Sequence, residues 1–132
     1  MKNEATSAPD FKFPKFEKLR LKILIDSLFK EGKSFFIYPF KVLHLHAPIE
    51  HTINQVLITV SSRKFKKATD RNTLKRRIRE AYRLNRHDLT KNLSDDCHLL
   101  IGYIYVGDEI LDFDVIETKL KKTLERLYSE YL

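Results

Sequence analysis

The sequence predicts a single α+β domain, an α/β sandwich in which a helix, two or more strands, a strongly basic helix, a strand and a last helix follow one another. Three observations predict it. The chain has 132 residues, 42% of them hydrophobic and 33% charged, enough for one hydrophobic core in a soluble domain. Apolar residues recur at helical spacing in three stretches, and short runs rich in aromatic and branched residues lie between them. Two of those runs flank the basic helix and make it the crossover of a strand–helix–strand unit.

The elements follow in order. Residues 1–16 are polar, contain Pro9 and Pro14 and show no period, so they read as a disordered tail ahead of a domain over 17–132. From Glu17 the pattern is helical, with Leu21, Leu24, Ile25, Leu28 and Phe29 on one stripe, and Gly32 stands where a left-handed residue would end the helix. Residues 35–46 read as a strand that Pro39 confines to an edge or breaks. Residues 46–54 form a loop with Pro48. Val56, Ile58 and Val60 in the run 55–60 suit a strand buried on both faces. Thr69 or Asp70 can cap a helix that runs to about Arg86, with Leu74, Ile78, Ala81 and Asn85 on its apolar side and Tyr82 at the margin. Residues 98–106 read as a second buried strand. Asp112 or Asp114 opens the last helix, with Ile116, Leu120, Leu124, Leu127, Tyr128 and Tyr131 at helical spacing.

Composition removes several function classes. Cys97 is the only cysteine, so no intrachain disulfide forms. No apolar run approaches the roughly 18 residues that span a bilayer, and residues 1–16 lack the apolar core of a signal peptide; no membrane contact and a cytoplasmic location are expected. Glycine occurs only at Gly32, Gly102 and Gly107, too dispersed for a glycine-rich phosphate cradle.

Charge is the strongest signal. Positions 63–86 hold eleven of the 25 Lys and Arg residues against Asp70 and Glu80, a net +9 that leaves the rest of the chain at −2. A basic block on a near-neutral body is the footprint of a phosphate-rich partner, because each neutralised phosphate releases counterions. A merely solvated helix face would alternate signs, whereas Lys75, Arg79 and Arg83 repeat one sign at i,i+4 and repel. Arg71, Asn72, Lys75, Arg76, Arg79, Arg83 and Arg86 form or widen the cationic stripe, where Arg favours forked phosphate contacts. In the lead-in at 61–67, Arg63, Lys64, Lys66 and Lys67 add charge beside a helix N-terminus, and Phe65 is expected in the core.

Other constellations are weaker. His44, His46 and His51 lack a Cys or carboxylate group to complete a metal shell. Cys97 and His98 point to opposite faces if in a strand, which favours an inert thiol over a nucleophile pair. Asp95 with Asp96 and Asp112 with Asp114 suit turns and helix caps better than a two-metal nuclease. Tyr38, Phe40, Tyr103 and Tyr105 would stack bases if exposed and fill the core if buried; core is expected. The chain thus offers polyanion binding without a catalytic constellation of its own.

The run Arg71-Asn72-Thr73-Leu74-Lys75-Arg76-Arg77-Ile78-Arg79-Glu80-Ala81-Tyr82-Arg83 resembles the signature helix of the bacterial ribonuclease P protein component. The lead-in from Val60 to Ala68 resembles that family's Val-Ser-Lys-Lys/Arg segment, and Phe29-Lys30-Glu31-Gly32-Lys33-Ser34 its Phe-Lys-x-Gly-x-Ser. Thr73 and Ser62 depart from the pattern, each removing a positive charge. The resemblance implies a protein subunit of a ribonucleoprotein that removes the 5′ leader of precursor tRNA, with ribonuclease P RNA and precursor tRNA as partners and no obligate protein partner. It places the catalytic centre and its Mg²⁺ on the RNA subunit, with no organic cofactor. It sets Arg71, Asn72, Lys75, Arg76 and Arg79 toward RNA with 61–67 beside them, and lines a leader cleft with Phe29, Ile25 and Leu43. It also implies a left-handed crossover, against the general rule. The alternatives are a ribosomal or regulatory RNA-binding module without a role in cleavage and, with less support, a protein nuclease.

Overall fold

Leu74, Ile78, Ala81, Tyr82, Asn85 and Leu89 recur every three to four residues along one helix, and all six are buried. The computed structural model of the chain describes residues 17–48 and 53–131. Its elements are α1 (Lys22–Glu31), β1 (Lys33–Ile37), β2 (Phe40–His46), β3 (Gln55–Val60), α2 (Ala68–Asn92), β4 (Leu99–Tyr105) and α3 (Phe113–Glu130). The tail expected over 1–16 and His51 lie outside the described residues.

The four strands form one sheet in the order β1-β2-β4-β3. β1–β2 and β2–β4 are antiparallel, and β3–β4 is parallel, so α2 is the crossover that the sequence predicts. Helices α2 and α3 pack on one face over the larger core cluster, which includes Phe40, Val42, Ile101, Tyr103, Ile116 and Leu120. Helix α1 lies on the other face over β2 and β4, around Leu19, Leu28, Leu43 and Leu100. Within the larger core, the Tyr103 hydroxyl and Thr123 Oγ1 are 2.7 Å apart, so neither buried oxygen is left unpaired.

Several expectations change at the element boundaries. The run expected over 35–46 is broken at Pro39, one of the two outcomes expected, and the two pieces form a hairpin with Ile37 opposite Phe40 and the cis Tyr38–Pro39 peptide in its turn, where Pro39 blocks no ladder bond. β3 is an edge strand and not one buried on both faces: Leu57 and Ile58 stay partly exposed, and β4 takes the central buried position. Helix α1 starts later than Glu17, because that stretch runs along β3, where Leu19 N–H donates to the Val56 carbonyl at 2.9 Å. Gly32 is extended at φ −67° and not left-handed; it is needed because a Cβ there would collide with the Leu28 carbonyl oxygen. Helix α2 starts after Lys67, with Thr69 and Asp70 already in its first turn and no side-chain cap. It passes Arg86 to end at Asn92, since Leu89, fully buried, continues the apolar stripe.

Candidate nucleic-acid interface

Docking of the α2 stripe on the sheet turns the opposite side of the helix outward. The turn before it is built by short contacts. Ser61 Oγ accepts from the backbone N–H of Arg63 at 3.1 Å and of Lys64 at 3.4 Å. Phe65 is buried, its ring 6.0 Å from that of Tyr105, and it pins the loop to the core as expected. Arg71 then reaches back from the first turn of α2 and donates to the carbonyl oxygens of Phe65 at 2.7 Å and Lys66 at 3.0 Å.

These contacts divide the cations predicted to meet RNA. Lys64 donates to the Val106 carbonyl at 2.8 Å and pairs with Asp108 at 3.0 Å, tying the loop to the segment after β4. Arg83 forks onto Glu80, which holds the Glu80 carboxyl below its usual range; the third member of the expected like-charge ladder is therefore balanced. Arg71 is committed to the loop. The side chains of Arg63, Lys66, Lys67, Asn72, Lys75, Arg76 and Arg79 make no ion pair or hydrogen bond among the described residues. Lys75 and Arg79 keep their unrelieved i,i+4 repulsion. Two further arginines serve the fold: Arg77 donates to the Leu111 carbonyl at 2.6 Å, and Arg86, expected at the end of the cationic stripe, pairs instead with Glu17 at 2.9 Å.

Arg79 also borders a second surface. A groove of about 180 Å³ runs between it and the β3 edge, lined by Lys18, Leu19, Arg20, Val56, Leu57 and Ile58. It joins the basic side of α2 to the face that carries α1. Lys18 and Arg20 were missed by reading the sequence, where the run Lys18-Leu19-Arg20-Leu21-Lys22 was the available signal. Of the cleft candidates, Phe29 is 50% exposed and Ile25 is half-buried. Leu43 is buried under α1, where it forms part of the floor. Gly102 sets that depth: a Cβ there would lie 3.2 Å from Leu28 Cδ2 and 3.5 Å from Leu43 Cβ.

The remaining constellations go to the fold. The His44 ring nitrogen Nδ1 and the Tyr131 hydroxyl are 2.7 Å apart, and the His46 ring meets Tyr131 edge-on at 4.7 Å. Burial lowers the His44 pKa and raises that of the Cys97 thiol. Phe40, Tyr103 and Tyr105 are core, while Tyr38 is exposed. Among the described residues no three His, Cys, Asp or Glu side chains come together as a metal site would require.

The sequence model of the family described as Ribonuclease P matches residues 13–128. The ribonuclease P protein component of Porphyromonas gingivalis is 38% identical over 125 residues, covering 92% of this chain and 90% of that protein. That of Thermotoga maritima is 32% identical over 117 residues, covering 87% and 95%. The solved RNase P protein from Thermotoga maritima matches with a TM-score of 0.66 at 30% identity, over 83% of this chain and 96% of that one. The Staphylococcus aureus RNase P protein, at 17% identity and a TM-score of 0.63 over 88% and 98%, shares the fold.

Proposed function

Because the chain belongs to the ribonuclease P protein family, we propose that it binds the ribonuclease P RNA through the open cations of α2 and holds the 5′ leader of precursor tRNA beside α1. It is a protein subunit of an endoribonuclease of tRNA processing, and its partner is RNA. The observation that carries the RNA contact is the absence of protein partners, among the described residues, for Lys75, Arg76 and Arg79 along one side of a helix. Phosphates placed there relieve the repulsion within the stripe and release counterions. Arg76 and Arg79 offer forked contacts, Asn72 a neutral hydrogen bond, and Arg63, Lys66 and Lys67 extend the field past the helix N-terminus.

Arg71 works mainly by fixing that loop, and Lys64 by anchoring it to the far side. Phe29 and Ile25 offer apolar contact to leader nucleotides, with Leu43 supporting them from below. The same reading places Mg²⁺ and the catalytic centre on the RNA subunit, with the protein supplying RNA contacts. No described helix is long and apolar enough to cross a membrane, and action on tRNA precursors in the cytoplasm belongs to the same proposal.

The test is cleavage of precursor tRNA at low Mg²⁺ by the ribonuclease P RNA of the same organism, with and without this protein. Rescue at the mature 5′ end, with no cleavage by protein alone, is the expected result. Tight RNA binding without rescue would transfer the chain to the RNA binders that take no part in cleavage. Cleavage by the protein alone would reveal a catalytic site on the chain itself.

A further inference from the structure

The strand registers align Phe36 with Lys41, Lys41 with Ile104, and Ile104 with Thr59, one row across all four strands. It lies on the α1 face, because Lys41 is two residues from Leu43 and Ile104 packs against the α1 cluster. With strands about 4.8 Å apart, the row spans roughly 14 Å. Leu28 seats α1 on Gly102, in the neighbouring row with Leu43 and Leu57, and leaves this one open. Phe36 is accordingly 61% exposed, Lys41 is exposed, and Ile104 and Thr59 are partly so. Tyr38, also exposed, holds its ring 6.4 Å from that of Phe36.

A single exposed ring needs no explanation, but two in contact beside a lysine describe a site. Three features select single-stranded RNA as its occupant. Ring faces stack on unpaired bases whatever their identity. Lys41, directly opposite Phe36, sets a cation where a stacked nucleotide carries its phosphate. At its other end the row runs into β3 and the loop bearing the open cations Arg63, Lys66 and Lys67, so it is continuous with the RNA-binding face. A protein partner fits less well, since interface cores are depleted of charge and Lys41 sits inside the patch.

We infer that Phe36, Tyr38 and Lys41 form a second subsite for single-stranded RNA, which takes leader nucleotides beyond those seated against α1. The inference rests on the leader-binding reading above and extends it to a surface that neither α1 nor α2 forms.

The experiment measures affinity of the reconstituted holoenzyme for precursor tRNAs with stepwise lengthened leaders, using wild type, Phe36→Ala, Phe36→Trp, Lys41→Gln and, as the marker of the α1 cleft, Phe29→Ala. Circular dichroism checks each fold. Phe36→Ala is expected to weaken binding about tenfold on the long leaders, the effect of removing one stacked base, while leaving mature tRNA and the shortest leader unchanged. Phe36→Trp retains wild-type affinity, and Lys41→Gln lowers the salt slope on long leaders by about 0.7. If Phe29→Ala weakens every leader while Phe36→Ala matches wild type throughout, the second subsite is wrong and the α1 cleft stands. If wild type binds leader-bearing and mature tRNA alike, the leader reading itself fails and takes the subsite with it. A changed sedimentation coefficient of free Phe36→Ala protein with unchanged leader affinity would make the patch a protein contact and overturn the inference.

Discussion

The guanidinium of Arg71 donates to the carbonyl oxygen of Phe65 at 2.7 Å, joining the first turn of α2 to the loop that precedes it. Phe65 is itself locked in the core, so the chain of contacts runs from the sheet through Phe65 and Arg71 to the basic face. A residue that charge counting assigns to phosphate thus also fixes where its neighbours stand. Hydrogen bonds from a charged donor are worth about 1.5–3 kcal/mol. Arg71→Ala should therefore lower stability by about that amount or less, given its partial exposure, and speed amide exchange over 61–67. Hydrogen exchange on the free protein checks this, and unchanged protection there would return Arg71 to a simple phosphate-binding role.

Replacing Lys75, Arg76 and Arg79 together by Gln should separate binding from folding. With no protein partners to give up among the described residues, the variant should match or slightly exceed wild-type stability in urea. Its salt slope for the RNA subunit should fall by about 0.9 for each duplex phosphate that is no longer neutralised. An unchanged slope would show that RNA does not lie along this side of α2.

Glu80 restrains the same face. Glu80→Gln removes the carboxylate onto which Arg83 forks and so raises the net positive charge along Lys75, Arg79 and Arg83. RNA affinity should rise at low salt and the salt slope should steepen, with the stability of the free protein little changed, since the pair is exposed and screened. Titration of binding against salt distinguishes this from an inert surface change.

Gly102 governs the seat of α1. Gly102→Val places branched carbon against Leu28 and Leu43, and the α1 face must yield because β4 is central and paired on both sides. A stability loss of about 1–3 kcal/mol is expected. Discrimination between leader-bearing and mature tRNA should weaken while the salt slope for the RNA subunit stays near wild type. Paired affinity measurements on the two tRNA forms decide it.

The burial of His44 makes stability depend on pH. Burial lowers the folded-state pKa of His44, opposed by Glu130 and assisted by Lys33 and Arg126. As pH falls through the usual 6.5, the unfolded chain takes up a proton that the folded one resists. Stability should thus be fully present above that pH, decline below it, and level once folded His44 is protonated. His44→Asn should flatten this limb of the urea-midpoint curve, and an identical limb in both proteins would assign it to other groups.

The helices of this protein were legible because amphipathic period is a property of a few consecutive residues: the stripe through Leu74, Ile78 and Ala81 needs no partner to be seen. The basic face was legible for the same reason, since charge adds along a chain without regard to folding. Strand rank was not. Val56, Ile58 and Val60 look as buried as Leu99 and Ile101, yet of these two strands β4 is interior and β3 is at the edge, because rank depends on which distant strands pair on each side. Helix ends followed the same division, with Leu89 carrying α2 past Arg86 once the core was present to receive it.

What the sequence determined by itself was therefore an α+β domain with a cationic helix and an RNA-binding character. The tertiary structure decided which cations are available to RNA. Asp108 lies 44 residues from Lys64, so no local pattern could have shown that charge to be engaged, and the nearby carbonyls that hold Arg71 are presented by a loop whose shape charge counting does not record. Folding alone also exposed the row from Phe36 to Thr59, because α1 settles on Gly102 and stops one row short of it. Period and charge are short-range properties of the chain, whereas pairing and exposure exist only once segments far apart in it have met.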